Sequence, residues 1–489
     1  MKRFAALFLT LTLLLSLCAC GAPAEDNIPS VTTTTTATST VPPITIPTVV
    51  GDGKPVTATL GGVNLAEYVI VYDEDAPDYT IRAALYIRDA ILARTGAALT
   101  IVSDDAETGN PHEIVVGETN RPISAALDAT REGLQFAYMA ADGHVALEAD
   151  SFVIAAAAYH FIETYITARD VAAVVPTAPQ VATPIVKEAK NFLFLIGDGM
   201  GVVHTTMPER YNGAELVEYT DGERLFYGKL LPYHGFAHTN SLNNTTDSAA
   251  SATALASGYK TTNGRVGRDA EGKDLFTLTE LAGSMGMATA VMSTEVQTGA
   301  TPAGFSAHAD DRDDTDDISA SQKALQEKYG TVIEGDFDFY DPYGVYQLEQ
   351  RIVTTLDTLD DNEKGFFMMY EEAYIDKHSH AVDLEKTAAA VLRFNQAIAR
   401  FMEYAFYHPD TFLIITADHE TGGLYVLEDQ LKFNSGGHTG RDVPVYAYGV
   451  GAEVFDGKTV ENVQIPKTIA AMWGKKLAED TDDQYPVLK

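Results

Sequence analysis

Cysteine is nearly absent: of 489 residues only Cys18 and Cys20 carry a thiol, both within the first twenty positions. The rest of the chain therefore has no disulfide and must be stable through its core and any ions it binds, even in an oxidising compartment. Basic residues are also scarce, 34 Lys and Arg against 69 Asp and Glu, for a formal charge of −35. That balance excludes nucleic-acid binding and gives no long-range attraction for anions, so any anion site must carry its positive charge locally, as metal or arginine. No internal repeat is evident, and the single tryptophan, Trp473, carries no message by itself. What is present is a hydrophobic complement of 46%, which suits two or three globular domains over this length.

The amino terminus reads as a secretory signal. Met1-Lys2-Arg3 is followed by an apolar run over 4–17 that is too short to span a bilayer comfortably. Leu17-Cys18-Ala19-Cys20-Gly21 resembles a bacterial lipobox, which implies removal of residues 1–19 and lipidation of Cys20. Residues 20–54, with Thr32-Thr33-Thr34-Thr35-Thr36 and Pro42-Pro43, have too few large apolar residues for a core and form an extended Thr/Pro-rich tether. The expected location is extracytoplasmic, lipid-anchored on the outer face of the cell membrane or in a periplasm.

Two folded units follow. Over 55–187 the pattern gives a strand at 68–72 and a helix with Ile81, Ala84, Leu85, Ile91 and Leu92 on its apolar positions. A strand at Ile114-Val115-Val116-Gly117, a hairpin turning at Ala141-Asp142-Gly143 and an apolar helix over 152–166 complete a small α+β domain. The run from Glu113 to Arg121 loosely resembles the non-catalytic amino-terminal domain of hexosaminidase-type carbohydrate enzymes. That resemblance implies a supporting role, with glycan or cell-wall contact as the alternative. Over 188–489 short, strongly apolar runs at 192–196, 288–292, 366–370 and 412–416 read as buried strands of a largely parallel sheet. A helix with Val391, Phe394, Ile398, Phe401, Met402 and Ala405 on one face is the clearest of those between them. The expected fold class is α/β, a largely parallel central sheet sandwiched by helices.

The stretch Thr246-Asp247-Ser248-Ala249-Ala250 places one hydroxyl at the start of an Ala-rich helix, with a carboxylate beside it. Ser248 there faces unpaired backbone N–H groups and the positive end of the helix dipole, where a phosphate group would be cradled. Taken alone, Thr-Asp-Ser before alanines is an ordinary helix cap. The apolar strands, however, each run into a polar cluster, and in open α/β sheets sites form beyond the carboxyl ends of strands. These clusters hold Asp198 in Gly197-Asp198-Gly199-Met200-Gly201, Thr301 with His308 and Arg312, Glu371-Glu372 with Asp376, His378 and His380, Asp418-His419-Glu420, and His438. Asp376 and His380, four apart, share a helical face and one ion, while His378 points elsewhere. So many Asp and His clusters at successive strand ends point to bound metal.

Together these motifs resemble the alkaline phosphatase family across nearly all of the second unit. The resemblance implies one zinc held by Asp376, His380 and His438, and a second held by Asp198, Asp418 and His419 with Ser248 as the approaching ligand. It implies a third ion, magnesium, held by Asp198, Thr301 and Glu371, and Arg312 gripping phosphate oxygens under the orientation of Asp247. Ser248 would be the nucleophile toward small phosphomonoester substrates. A phosphodiesterase of the same superfamily and a catalytically inactive glycan-binding surface lipoprotein are the alternatives. A sulfatase is excluded because Ser248 is followed by Ala249-Ala250-Ser251-Ala252 rather than by the Cys/Ser-x-Pro-x-Arg context. The oligomeric state stays open.

Three departures stand out. Gly299 occupies the position before Ala300-Thr301-Pro302 where the family commonly carries Asp or His, so the third site lacks a ligand. Glu372 reads as a solvated carboxylate, with compensation for that ligand as the alternative. The acidic run 310–317 around Arg312 reads mostly as a solvated loop, with calcium binding as the lesser reading.

Overall fold

The computed structural model describes residues 46–106, 108–127, 131–211, 225–337, 344–477 and 485–489. The expected signal segment, the Cys20 lipidation site and most of the tether lie outside the described residues. The end of the tether does not: Arg88 Nη1 donates to the Pro47 carbonyl at 2.7 Å, and Arg169 pairs with Asp52 at 2.9 Å. Among the described residues no helix is long and apolar enough to cross a membrane.

The amino-terminal unit is built on β1 (Val69–Tyr72), α1 (Asp78–Thr95), β2 (Thr100–Ser103), β3 (Glu113–Val116), β4 (Phe136–Ala141), β5 (His144–Ala149), α2 (Ile154–Tyr165) and β6 (Gln180–Ala182). Its sheet runs β2-β1-β3-β5-β4-β6. The first four pair in parallel, and β4 joins antiparallel through the tight turn at Asp142 and Gly143, both at positive φ. The carboxyl ends of β1, β3 and β5 open onto a cavity of about 660 Å3.

The second unit contributes β7 (Asn191–Gly197), β8 (Tyr233–His238), α3 (Ser248–Ser257), β9 (Ala288–Ser293), α4 (Ala300–Ser306), β10 (Val332–Glu334), β11 (Phe366–Glu372), α5 (Tyr374–His380), α6 (Leu384–Tyr407), β12 (Thr411–Thr416), β13 (Val443–Tyr448) and β14 (Thr459–Glu461). The eight strands lie in the order β10-β9-β11-β7-β12-β13-β8-β14. The first five are parallel, and β13 pairs antiparallel with both neighbours. Every residue of β7, β11 and β12 is buried, as unbroken apolar runs in a helix-covered parallel sheet require. Register sets the ends of these strands level: Ile196 lies opposite Glu371 and Thr416, and Ser293 opposite Glu371. The polar residues that follow are thereby delivered to one edge.

Helix α6 joins the units. Its expected apolar face is buried, with Phe394 stacked on Tyr370 at 6.2 Å. On its other side the Arg82 fork grips the buried Glu403 at 2.7 and 2.9 Å, Tyr86 meets Tyr407 at 4.5 Å, and Phe152 stacks on Phe406. At the opposite edge of the sheet from the polar clusters, Trp473 packs edge-on against Phe192 and Phe367 at 5.1 and 5.9 Å.

Candidate active site

Ser248 is the first residue of α3 and is 3% exposed. Asp247 caps the helix: its Oδ1 accepts from Ala250 N at 2.9 Å, while Oδ2 accepts from Gly264 N at 2.9 Å and from Arg312 Nη1 at 3.3 Å. The cap that starts the helix therefore also orients the arginine. Ser251 Oγ donates to the Asp418 carbonyl at 2.6 Å, tying α3 to the end of β12. Ser248 Oγ is left 3.2 Å from His419 Nε2.

On one side of Ser248 lie Asp376, His380 and His438, whose ligand atoms all fall within 4.8 Å of one another. His380 Nδ1 meets the Gly436 carbonyl at 2.7 Å and His438 Nδ1 meets that of Thr246 at 2.9 Å. With each Nδ1–H so engaged, the two Nε2 atoms face each other at 2.9 Å. Two imidazole lone pairs at that separation need a shared proton or metal ion, and the carbonyl partners fix the tautomer in which Nε2 is free for either. The hydrogen bond to Asp376 pushes His380 up to about 9. Despite burial, His380 and His438 hold the Asp376 carboxyl well below the usual range, with help from the Thr421 hydroxyl.

On the other side lie Asp198, Asp418 and His419, also within 4.8 Å and all buried. His419 Nδ1 meets Thr421 Oγ1 at 3.3 Å, so Nε2 faces Asp418 Oδ2 at 3.2 Å and Asp198 Oδ1 at 3.6 Å. Those two carboxylate oxygens are buried without a hydrogen-bond partner. Burial and the neighbouring charges of Asp418, Asp376 and Glu371 push the Asp198 carboxyl well up, and burial pushes His419 down. The loop at Asp198 approaches so closely that a Cβ on Gly199, at φ +72°, would lie 2.8 Å from Asp376 Cα. Only glycine fits there. The two clusters adjoin, since the His419 and His438 rings stack at 3.7 Å.

Further buried oxygens come from Thr301 and from Glu371, whose charge Asp198 feels. Thr301 Oγ1 and Glu371 Oε1 are likewise buried and unpaired, and Glu371 Oε2 accepts from Ser293 Oγ. Burial and the charge of Glu295 push the Glu371 carboxyl well up. Buried, orphaned oxygens of this kind are costly without a cation. On these observations each of the two clusters fits a metal ion, and Thr301 and Glu371 add buried oxygens suited to a further cation.

The structure thus brings together the six expected ligands Asp198, Asp376, His380, Asp418, His419 and His438, sets Ser248 beside His419, and adds one residue. His204, fully buried, accepts from Gly201 N and contacts Ser379 Oγ, both at 3.2 Å, linking the Asp198 loop to α5; burial holds it neutral, down to about 3. No spacing in the sequence marks it. Two expectations are corrected. Glu372 is neither solvated nor a substitute ligand: it is fully buried, gripped by the Arg393 fork of α6, because adjacent strand residues face opposite sides of the sheet. The acidic run is only partly a loop: Asp314 caps a helix over Thr315–Tyr329 whose first turn holds Asp316 and Asp317, and Asp310 pairs with Arg265 and Arg268. His308 lies away from the ions, paired with Glu280 at 3.4 Å.

Fold and site together define an α/β phosphoester hydrolase whose carboxylate and imidazole clusters suit metal ions. The family model for alkaline phosphatase matches residues 189–338 and 341–430. Alkaline phosphatase 3 of Bacillus subtilis is 26% identical over 414 residues, 58% of this chain and 88% of its own length. Alkaline phosphatase 4 of the same organism is 28% identical over 298 residues, 49% of this chain but only 63% of its own length, less than two thirds. The solved alkaline phosphatase of the Antarctic bacterium TAB5 superposes with a TM-score of 0.52 at 24% identity, covering 60% of this chain and 99% of that one. A mutant of that enzyme with magnesium bound in its M3 site gives 0.51 at 25% identity, again over 60% and 99%. Over residues 189–338 and 341–430, just under half of its length, the chain matches the alkaline phosphatase family, a family of metal-dependent phosphoester hydrolases.

Proposed function

We propose that this chain hydrolyses phosphate monoesters through a covalent phosphoserine on Ser248, with two zinc ions and one magnesium ion. The observation that carries the reading is Ser248 Oγ at a capped helix start, 3.2 Å from His419 Nε2 and flanked by two three-residue ligand clusters. Asp376, His380 and His438 would hold one zinc, Asp198, Asp418 and His419 the other, and Asp198, Thr301 and Glu371 the magnesium. When bound, such ions acidify a hydroxyl or water and neutralise charge on the attacking and departing oxygens.

Ser248 Oγ attacks phosphorus as the bond to the ester oxygen breaks. Its proton is lost, and the leaving alcohol departs protonated. Water then attacks the same phosphorus and the Oγ–phosphorus bond breaks, returning the serine hydroxyl and releasing inorganic phosphate. Two inversions give retention at phosphorus. The α3 amino terminus presents N–H groups to the phosphate, and the Arg312 guanidinium supplies a planar fork that lysine cannot copy. A monoester dianion, rather than a diester, matches Arg312 and the third-ion residues.

The amino-terminal unit is read as support for α6. Glycan contact, the lesser reading, would use the cavity lined in part by Asp73, Glu118, Asn120, Arg131 and Tyr227. The segment 1–20 supports secretion and lipid anchoring through Cys20, outside the cytoplasm.

The test is p-nitrophenyl phosphate hydrolysis against pH by the chain from Gly21 onward. Activity should be lost to chelator, restored by zinc and reduced at least ~10³-fold in Ser248→Ala. A zinc-loaded protein that cleaves only the bis-p-nitrophenyl ester would replace the monoesterase with a diesterase, and one that cleaves neither would sink the reading.

A further inference from the structure

Gly299 leaves the third ion site one side chain short, yet the space is filled. A Cβ built on residue 299 falls 1.9 Å from Glu295 Oε1 and 2.2 Å from its Cδ. Glu295 thus places its carboxylate where a side chain from 299 would begin. The backbone of Gly299, at φ −56° and ψ 155°, admits any residue, so Glu295 itself is the obstacle.

This carboxylate is held in place. Its other oxygen pairs with Lys377 Nζ, and Lys377 directly follows Asp376 on α5. The Glu295 backbone N–H donates to Ser293 Oγ at 3.0 Å, and that hydroxyl donates to Glu371. Its carbonyl accepts from Asp336 N at 2.7 Å. The Glu295 side chain is only 13% exposed. Among neighbouring charges it is the one Glu371 feels most strongly, and Asp198 and Arg312 feel it too. Even with Lys377 beside it, the Glu295 carboxylate raises both buried carboxyls, so the three repel, and a divalent cation reverses that sign.

We propose that Glu295, clamped by Lys377, substitutes for a side chain at position 299 and contributes its carboxylate to the binding of magnesium beside Asp198, Thr301 and Glu371. The inference rests on the three-ion reading above. It also couples two ions mechanically, because the residue that clamps Glu295 adjoins a zinc ligand on the same helical turn.

The experiment uses chelator-stripped chain from Gly21 onward, reloaded with zinc and then titrated calorimetrically with magnesium, bound metal being counted by mass spectrometry. Glu295→Ala and the near-isosteric Glu295→Gln should each weaken magnesium binding ~10–100-fold while zinc stays at two per chain. Gly299→Asp alone should weaken it as well, since two carboxylates then compete for one space. Glu295→Ala combined with Gly299→Asp should restore affinity to within about threefold of the parent, under 1 kcal/mol. Magnesium affinity unchanged in both Glu295 variants, or tolerated Gly299→Asp, overturns the inference and leaves the three-ion reading standing. Zinc-loaded parent that takes up no magnesium overturns the third ion and this inference together.

Discussion

Asp247 does two jobs with two oxygens, and a single substitution separates them. Asparagine is as good a helix cap as aspartate, so Asp247→Asn keeps the acceptor for Ala250 N but removes the charge facing Arg312 Nη1 and the acceptor for Gly264 N. A hydrogen bond between charged groups contributes about 1.5–3 kcal/mol, so kcat/KM for p-nitrophenyl phosphate should fall ~10–100-fold, while the melting temperature drops by only a few degrees for the lost Gly264 N acceptor. An unchanged kcat/KM would mean Arg312 is positioned without Asp247. At this scale the candidate residues stood out because most of the carboxylates and imidazoles sit in motifs just past an apolar strand, while their grouping came from the family resemblance. Partners far apart in sequence were not: Lys377 clamps Glu295 from 82 residues away, and His204 reaches Ser379 across 175. Glu372 could have been placed by strand alternation alone, since one of two adjacent glutamates on a buried strand must face the covering helix.

Elements were legible where periodicity was strong and less so where charge disguised them. The α6 stripe and the four apolar strands appear where expected. The acidic run hid a helix start, because Asp residues serve both as solvated loop and as first-turn charges that favour the helix dipole. A second capped element provides a pH test. Thr277 and Glu280 form a capping box on the helix Leu278–Ser284, and Glu280 also pairs with His308. Despite burial, that pairing raises the His308 pKa above 6.5 and lowers that of Glu280 below 4.5. The His308 contribution is full below pH 6.5 and fades as pH rises through its folded value. The Glu280 contribution is full above pH 4.5 and fades as pH falls through its folded value. Glu280→Gln keeps the box but loses the ion pair, so chemical denaturation should show a loss of about 1–2 kcal/mol between roughly pH 5 and 6, shrinking above pH 8. A loss independent of pH would assign the effect to packing.

Across the whole molecule, the two units expected from composition share α6, with Arg82, Tyr86 and Phe152 of the first unit bearing on its outer face. Separating them would strip Glu403 of the Arg82 fork, leaving it Arg400 alone, and would put aromatic faces in water, at a cost of several kcal/mol. Calorimetry on the zinc-loaded chain from Gly21 onward should therefore show one unfolding transition, with van't Hoff and calorimetric enthalpies in agreement. Two resolved transitions would make the amino-terminal unit an independent domain. The lone indole gives this question an optical handle. Trp473 rests on Phe192 and Phe367, at the amino-terminal ends of the strands whose carboxyl ends hold the ligands. Its emission thus watches the foundation of the sheet from the side remote from the ions. A spectral shift on metal loading would mean that ordering at one end of the strands is felt along their whole length, whereas silence would mean that the scaffold stands ready before any ion arrives.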